Sequence, residues 1–178
     1  NDLANIYCDL GRLAAARPHY ETGLEIKQAI GDVYGQAMIA NNLGDLLRLQ
    51  DNLDEAIEQY EHSQEIFEKL GSLYATGVLH MNLGATYLLR GDLGKAEYHL
   101  QQSGQLFEQA GAEDFLPELE RYLAEMHLRN GDLVQARLAC ESSLANAARL
   151  EARAEEGATR RTLSHILAQE NDCEGAWN

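Results

Sequence analysis

Leu3, Leu43, Leu83, Leu123 and Leu163 stand 40 residues apart, and so do Ala16, Ala56, Ala96, Ala136 and Ala176. A fixed period constrains the fold more than composition does, because each unit must fold alike and bury its apolar face against its neighbours. The residue after each leucine is small: Ala4, Gly44, Gly84, Ala124 and Ser164. Eight positions beyond the leucines come Gly11, Asp51, Gly91, Gly131 and Asn171, types that tolerate the left-handed conformation of a tight turn. Arg12, Asn52, Asp92, Asp132 and Asp172 follow, and the last four are good helix N-caps. Leu13, Leu53, Leu93, Leu133 and Cys173 then resume the apolar pattern.

A second turn repeats with the same period at Gly31, Gly71, Gly111 and Glu151, with Asp32 and Ser72 as adjoining caps. Two turns per period predict two helices per period. In the second repeat these are helix A over about Val33–Leu49 and helix B over about Leu53–Leu70. One hairpin cannot bury both of its apolar faces. The small residue after each leucine lets helix B approach helix A, and the repeated alanine lets the next hairpin dock. The expected fold is all-α, a right-handed superhelix of about four and a half helical hairpins. It reads as a single domain over 1–178, with repeats at about 1–31, 32–71, 72–111, 112–151 and 152–178. The chain opens on Asn1 inside a helix A and closes early in a helix B, so it reads as part of a longer protein. Neither end has a polar capping helix. Ile166, Leu167 and Trp177 are then expected to be exposed and to invite end-to-end self-association.

The sequence Asn82-Leu83-Gly84-x-x-Tyr87, followed by Gly91-Asp92 and Ala96, resembles the tetratricopeptide consensus in order and spacing. The 40-residue period, Asn41-Asn42-Leu43-Gly44, and Ala16-Arg17-Pro18 early in a helix B are similar to the long-repeat branch of that family. That branch includes kinesin light chains, Pins-type polarity scaffolds and bacterial regulators. The resemblance implies a module that binds a protein or peptide in a concave groove lined by the A helices. It implies inward positions one, two and five residues before the repeated leucine, and two and five after it. These are Met38, Asn41, Asn42, Asp45 and Arg48 in the second repeat, and Val78, Met81, Asn82, Ala85 and Leu88 in the third. The fourth gives Glu118, Arg121, Tyr122, Glu125 and Leu128, and the fifth gives Ala158, Arg161, Thr162 and His165.

Asn42 and Asn82 share a phase at which family members clamp a ligand backbone; the alternative is that each bonds to a neighbouring helix. Arg121 and Arg161 stand one period apart and are expected to stack, as a site for a carboxylate or phosphate. Glu118 and Glu125, at i−3 and i+4 from Arg121, are placed to neutralise it instead. Met38, Val78, Met81 and Leu88 would line an adaptable apolar stretch.

Composition narrows the function. Fourteen Lys+Arg against twenty-nine Asp+Glu give a net charge of −15, which disfavours nucleic acid and anionic lipid as partners. No run of apolar residues is long enough to span a membrane. Cys8, Cys140 and Cys173 are too far apart for a C-x-x-C motif and suit a reducing cytoplasm. The six histidines form no H-E-x-x-H, and no phosphate-binding loop or G-x-S-x-G elbow occurs. His127 holds a position given to tyrosine in other repeats (Tyr7, Tyr87), so it is expected in the packed core. His19 and His99 are expected to be exposed. The chain therefore reads as a non-enzyme without a cofactor or metal. The alternative reading is a sensor domain of a multidomain bacterial regulator, binding a small ligand or signalling peptide.

Overall fold

The computed structural model describes residues 2–175, the side chains of Asp2, Asp9 and residues 171–175 excepted. Among the described residues there are nine α-helices and no strand. They are α1 Asp2–Asp9, α2 Leu13–Ala29, α3 Val33–Leu49, α4 Leu53–Lys69 and α5 Leu73–Arg90, followed by α6 Leu93–Ala110, α7 Leu116–Arg129, α8 Leu133–Arg149 and α9 Arg153–Gly175. The odd-numbered helices are the A helices and the even-numbered ones the B helices.

Both turn series adopt the left-handed conformation that their residue types favour. Backbone φ is positive at Gly31, Gly71, Gly91, Gly111 and Gly131, and also at Asp51 (63°) and Glu151 (56°), which carry a Cβ. After most turns a side chain takes up an otherwise orphaned helix N–H. Gly35 N donates to Asp32 Oδ1 at 2.8 Å, Lys95 N to Asp92 at 3.2 Å, and Gln135 N to Asp132 at 3.0 Å. Ser72 Oγ accepts from Ala75 N at 3.4 Å. Asn52 occupies the N-cap position without a side-chain bond, contrary to expectation.

The small residues act as spacers within a hairpin. A Cβ on Gly44 would lie 2.6 Å from the Tyr60 ring, and one on Gly84 would lie 2.7 Å from Leu100. Ala16, Ala56, Ala96 and Ala136 are fully buried; Ala176 lies outside the described residues. One continuous core runs from Ala4 to Met126, and a smaller cluster of Ala124, Ala136, Cys140 and Ile166 closes the C-terminal end.

Two elements depart from the regular pattern. Helix α7 has 14 residues and begins three positions late, because Pro117 favours the first turn of a helix and Glu113-Asp114-Phe115 is left as a loop. Helix α9 continues to Gly175 through the turn expected at Asn171-Asp172. Cys173 and Trp177 fall outside the described side chains. Ile166, expected at the surface, is fully buried, whereas Leu167 is exposed. At the other end Leu3 and Ile6 are exposed. Among the described residues no helix is long and apolar enough to cross a membrane.

Each helix packs on its neighbours in sequence. In addition α3 touches α5, α5 touches α7 and α7 touches α9, whereas the B helices have no comparable succession of contacts. The A helices therefore line the inner side of the curve.

Candidate functional site

Residues at i, i+4, i+7, i+11 and i+14 of an α-helix share one face. On α3 the inner stripe reads Tyr34, Met38, Asn41, Asp45 and Arg48; on α5 it reads Tyr74, Val78, Met81, Ala85 and Leu88. On α7 it is Glu118, Arg121, Glu125 and Leu128, with Asp114 just before the helix, and on α9 Ala158, Arg161 and His165. Three solvent-open hollows lie between successive A helices. The α1/α3 hollow, about 390 Å³, is lined by Asn5, Cys8, Tyr20, Asn42, Asp45 and Leu49. The α3/α5 hollow, about 280 Å³, is lined by Tyr34, Met38, Phe67, Tyr74, Val78 and Phe115. The α7/α9 hollow, about 370 Å³, is lined by Arg121, Glu125, Arg129, Ala158, Arg161 and His165.

Between α5 and α7 the surface is closed. Met81, Ala85 and Leu88 are 1%, 2% and 1% exposed, and Asn82 and Tyr122 are nearly as deep. Met81 and Ala85, expected to touch a ligand, are thus floor rather than contact surface, because the A helices pack directly at that level. The expected apolar stretch is reduced to Met38 and Val78, with Tyr34 and Tyr74 beside them.

The asparagines form a ladder across three A helices. Asn82 Nδ2 donates to Asn41 Oδ1 at 3.0 Å, Asn41 Nδ2 to Asn42 Oδ1 at 3.3 Å, and Asn42 Nδ2 to Asn5 Oδ1 at 3.4 Å. The Tyr20 hydroxyl donates to the same Asn5 oxygen at 2.5 Å. An amide both donates and accepts, so it can continue such a chain. Of the two roles open to Asn42 and Asn82, bonding between neighbouring helices is the one seen. Thr162, at the same phase in α9, is buried and donates to Glu125 at 3.3 Å.

Charge is concentrated toward α7. Arg121 is 9% exposed and lies 2.9 Å from Glu155, 3.0 Å from Glu125 and 3.7 Å from Glu118, with its guanidinium 4.2 Å from the centroid of the Tyr122 ring. The expected anion site over stacked Arg121 and Arg161 is therefore corrected. Arg121 is occupied by three carboxylates, while Arg161 is exposed on α9. Burial pushes the Glu118 carboxyl above its ordinary range, and the nearby Glu155 charge adds to this. On α3, Asp45 accepts from the Tyr60 hydroxyl of α4 at 2.8 Å and Arg48 approaches both groups at 3.3 Å; burial also raises Asp45, against the pull of Arg48.

Of the histidines, His19 lies as expected, whereas His99 and His127 do not. His19 is exposed and stacks on Tyr7, and His127 is half-buried. His99 is half-buried, with its Nδ1 3.0 Å from Nδ1 of His80, whose Nε2 is 3.1 Å from Gln64 Nε2. Sequence reasoning missed this pair because the two residues are 19 positions apart and on different helices. Among the described residues, no group of three or more His, Cys, Asp or Glu could hold a metal ion.

Comparison with known proteins accords with this architecture. The chain resembles BtubC (BKLC) from P. vanneervenii, with 18% identity over 99% of this chain and 78% of the other and a TM-score of 0.71. It also resembles the nearly identical TPR-like repeats of a Podosopora anserina protein assigned as a kinesin light chain. There the identity is 16% over 97% and 93% of the two chains, with TM-scores of 0.68 and 0.67 for two crystal structures of those repeats. No curated protein sequence matches at a comparable level. Repeats of this kind generally mediate protein–protein interaction and are typically non-enzymatic scaffolds. The tetratricopeptide repeat pattern matches residues 1–69 and 35–109, more than half of the sequence; the chain belongs to the tetratricopeptide repeat family.

Proposed function

We propose that this chain is a single-domain, non-catalytic interaction module that holds a peptide or helix of a partner protein against its concave face. The observation that carries this is the row of solvent-open hollows between successive A helices, separated by buried floor. Open hollows along a curved inner surface suit an extended peptide, which contributes separate side chains to separate recesses. Direct contacts are assigned to Met38, Asn41, Asn42, Asp45, Arg48, Val78, Arg161 and His165. Asn82, Tyr122, Glu125, Met81, Ala85 and Arg121 support them from beneath. The charge of −15 argues against direct nucleic-acid or membrane binding and for a partner with basic character. Exposed Leu3 and Ile6 at one end offer a route to end-to-end association. A cytoplasmic setting fits the free thiols of Cys8 and Cys140.

The test is affinity capture with wild type, a Met38→Glu/Arg161→Glu inner-face variant and a Glu61→Lys control on the outer side of α4. A partner kept by wild type and the control but lost by the inner-face variant supports the reading. Loss with Glu61→Lys alone would move the contact to the outer face.

A further inference from the structure

Of the three hollows, the one between α3 and α5 has the chemistry of an anchor site. Its walls are Met38, Val78, Phe67 and Phe115, and its rim is Tyr34 and Tyr74, which are 56% and 45% exposed. The two tyrosines occupy the same phase one period apart, and each rests on aromatic core. Tyr34 meets Phe67 edge-on at 5.3 Å, and Tyr74 lies 5.7 Å from Phe115. The rim is thus held in place while its outer ring surfaces stay in water. At about 280 Å³ the hollow falls just below the roughly 300–1,000 Å³ of small-molecule sites, so it suits one large side chain.

The third residue of that phase is Asp114, on the loop created by the late start of α7 and adjacent to Phe115. Asp114 is exposed and has no ion pair among the described residues, whereas its neighbour Glu113 pairs with Arg149. An apolar recess is therefore bordered by an uncompensated carboxylate and two tyrosine faces, both of which attract cations. A second copy of the chain is a poor occupant of this hollow, because it would bring a body of the same charge, −15, against the uncompensated Asp114.

We propose that the α3/α5 hollow takes one leucine, methionine or phenylalanine side chain of a partner peptide, and that a lysine or arginine beside it in that peptide pairs with Asp114. This rests on the concave-face reading above and specifies its ligand.

The experiment is fluorescence anisotropy with labelled nonapeptides, each carrying a central leucine or phenylalanine followed by two lysines, two serines or two glutamates. The lysine series binds tightest, about tenfold better than the glutamate series at low salt. The gap narrows in about 0.5 M salt, where exposed charges are screened. Met38→Glu and the more exposed Tyr34→Ala weaken the lysine series at least about tenfold with an unchanged circular dichroism melt, while Glu61→Lys on the outer side of α4 does not. Asp114→Lys reverses the order of the series. Tight binding of the glutamate series that is still lost in Met38→Glu overturns the charge assignment and leaves the concave-face reading intact. Binding indifferent to Met38→Glu and Tyr34→Ala, or no binding by any peptide, overturns the anchor site itself. A dimer in sedimentation velocity that Met38→Glu dissociates would make a second copy the occupant and overturn it too.

Discussion

The α3/α5 and α7/α9 hollows each lie between successive A helices on one concave face, yet their side chains are committed differently. At α3/α5 the walls are apolar and the rim tyrosines are exposed, with Asp114 free of an ion pair among the described residues. At α7/α9 the central cation, Arg121, is enclosed by Glu118, Glu125 and Glu155. A residue that satisfies its neighbours has little left for a ligand. The repeat sets where a side chain points, and the neighbouring repeat decides whether it is available.

The sharpest test of this contrast is removal of Arg121. Arg121→Leu leaves three carboxylates on α7 and α9 without their cation and should destabilise the fold by about 3 kcal/mol, as for a broken buried ion pair. Urea denaturation measures this, and a loss below about 0.5 kcal/mol would make Arg121 available for binding after all. Gly44→Ala tests the scaffold beneath the apolar side. Its Cβ would strike the Tyr60 ring, which is fully buried and bonded to Asp45, so overpacking outweighs the gain in helix propensity. The expected loss is about 1–2 kcal/mol, read from the same denaturation curves.

A third prediction concerns α5, the helix between the two regions, which meets α4 and α6 through Gln64, His80 and His99. Burial lowers both imidazoles from 6.5, His99 to about 4 with added repulsion from His80 and Lys95, while Glu68 opposes the shift at His80. The unfolded chain then binds more protons between pH 6.5 and about 4, so this contribution is lost as pH falls through that window. Asp45 and Glu118 are shifted upward and act in the opposite sense. The comparison that isolates the histidines is wild type against His80→Gln/His99→Gln, whose melting temperature should fall less on acidification. An equal fall in both would remove the histidines from the account. The smallest expected effect on stability is that of Met38→Glu, within about 0.5 kcal/mol because its side chain already meets solvent. A large loss there would show that the apolar hollow is core.

Much of this fold is legible in the sequence because its determinants are local. The left-handed turns announce themselves through glycine at a fixed spacing, and α3 runs over Val33–Leu49 as the two flanking turns require. The late start of α7 is also signalled, by Pro117 in its first turn, although the regular period masks it. The site is less legible because availability is set at a distance. Glu118 and Glu125 are visible beside Arg121 on one helix, but Glu155, 34 positions away, is not. Burial of Met81 and Ala85 follows from how closely the A helices approach, which no single repeat encodes. The continuation of α9 through Asn171 likewise depends on tertiary context, since asparagine fits either conformation.

The most direct test of the contrast between the two hollows is a side-by-side titration of one bound peptide against Met38→Glu and Arg161→Glu, both confirmed folded. The account predicts that Met38→Glu abolishes binding and that Arg161→Glu, at a secondary contact, weakens it by less than about tenfold. The reverse pattern, with Arg161→Glu decisive and Met38→Glu silent, would place recognition at the charged end and contradict it.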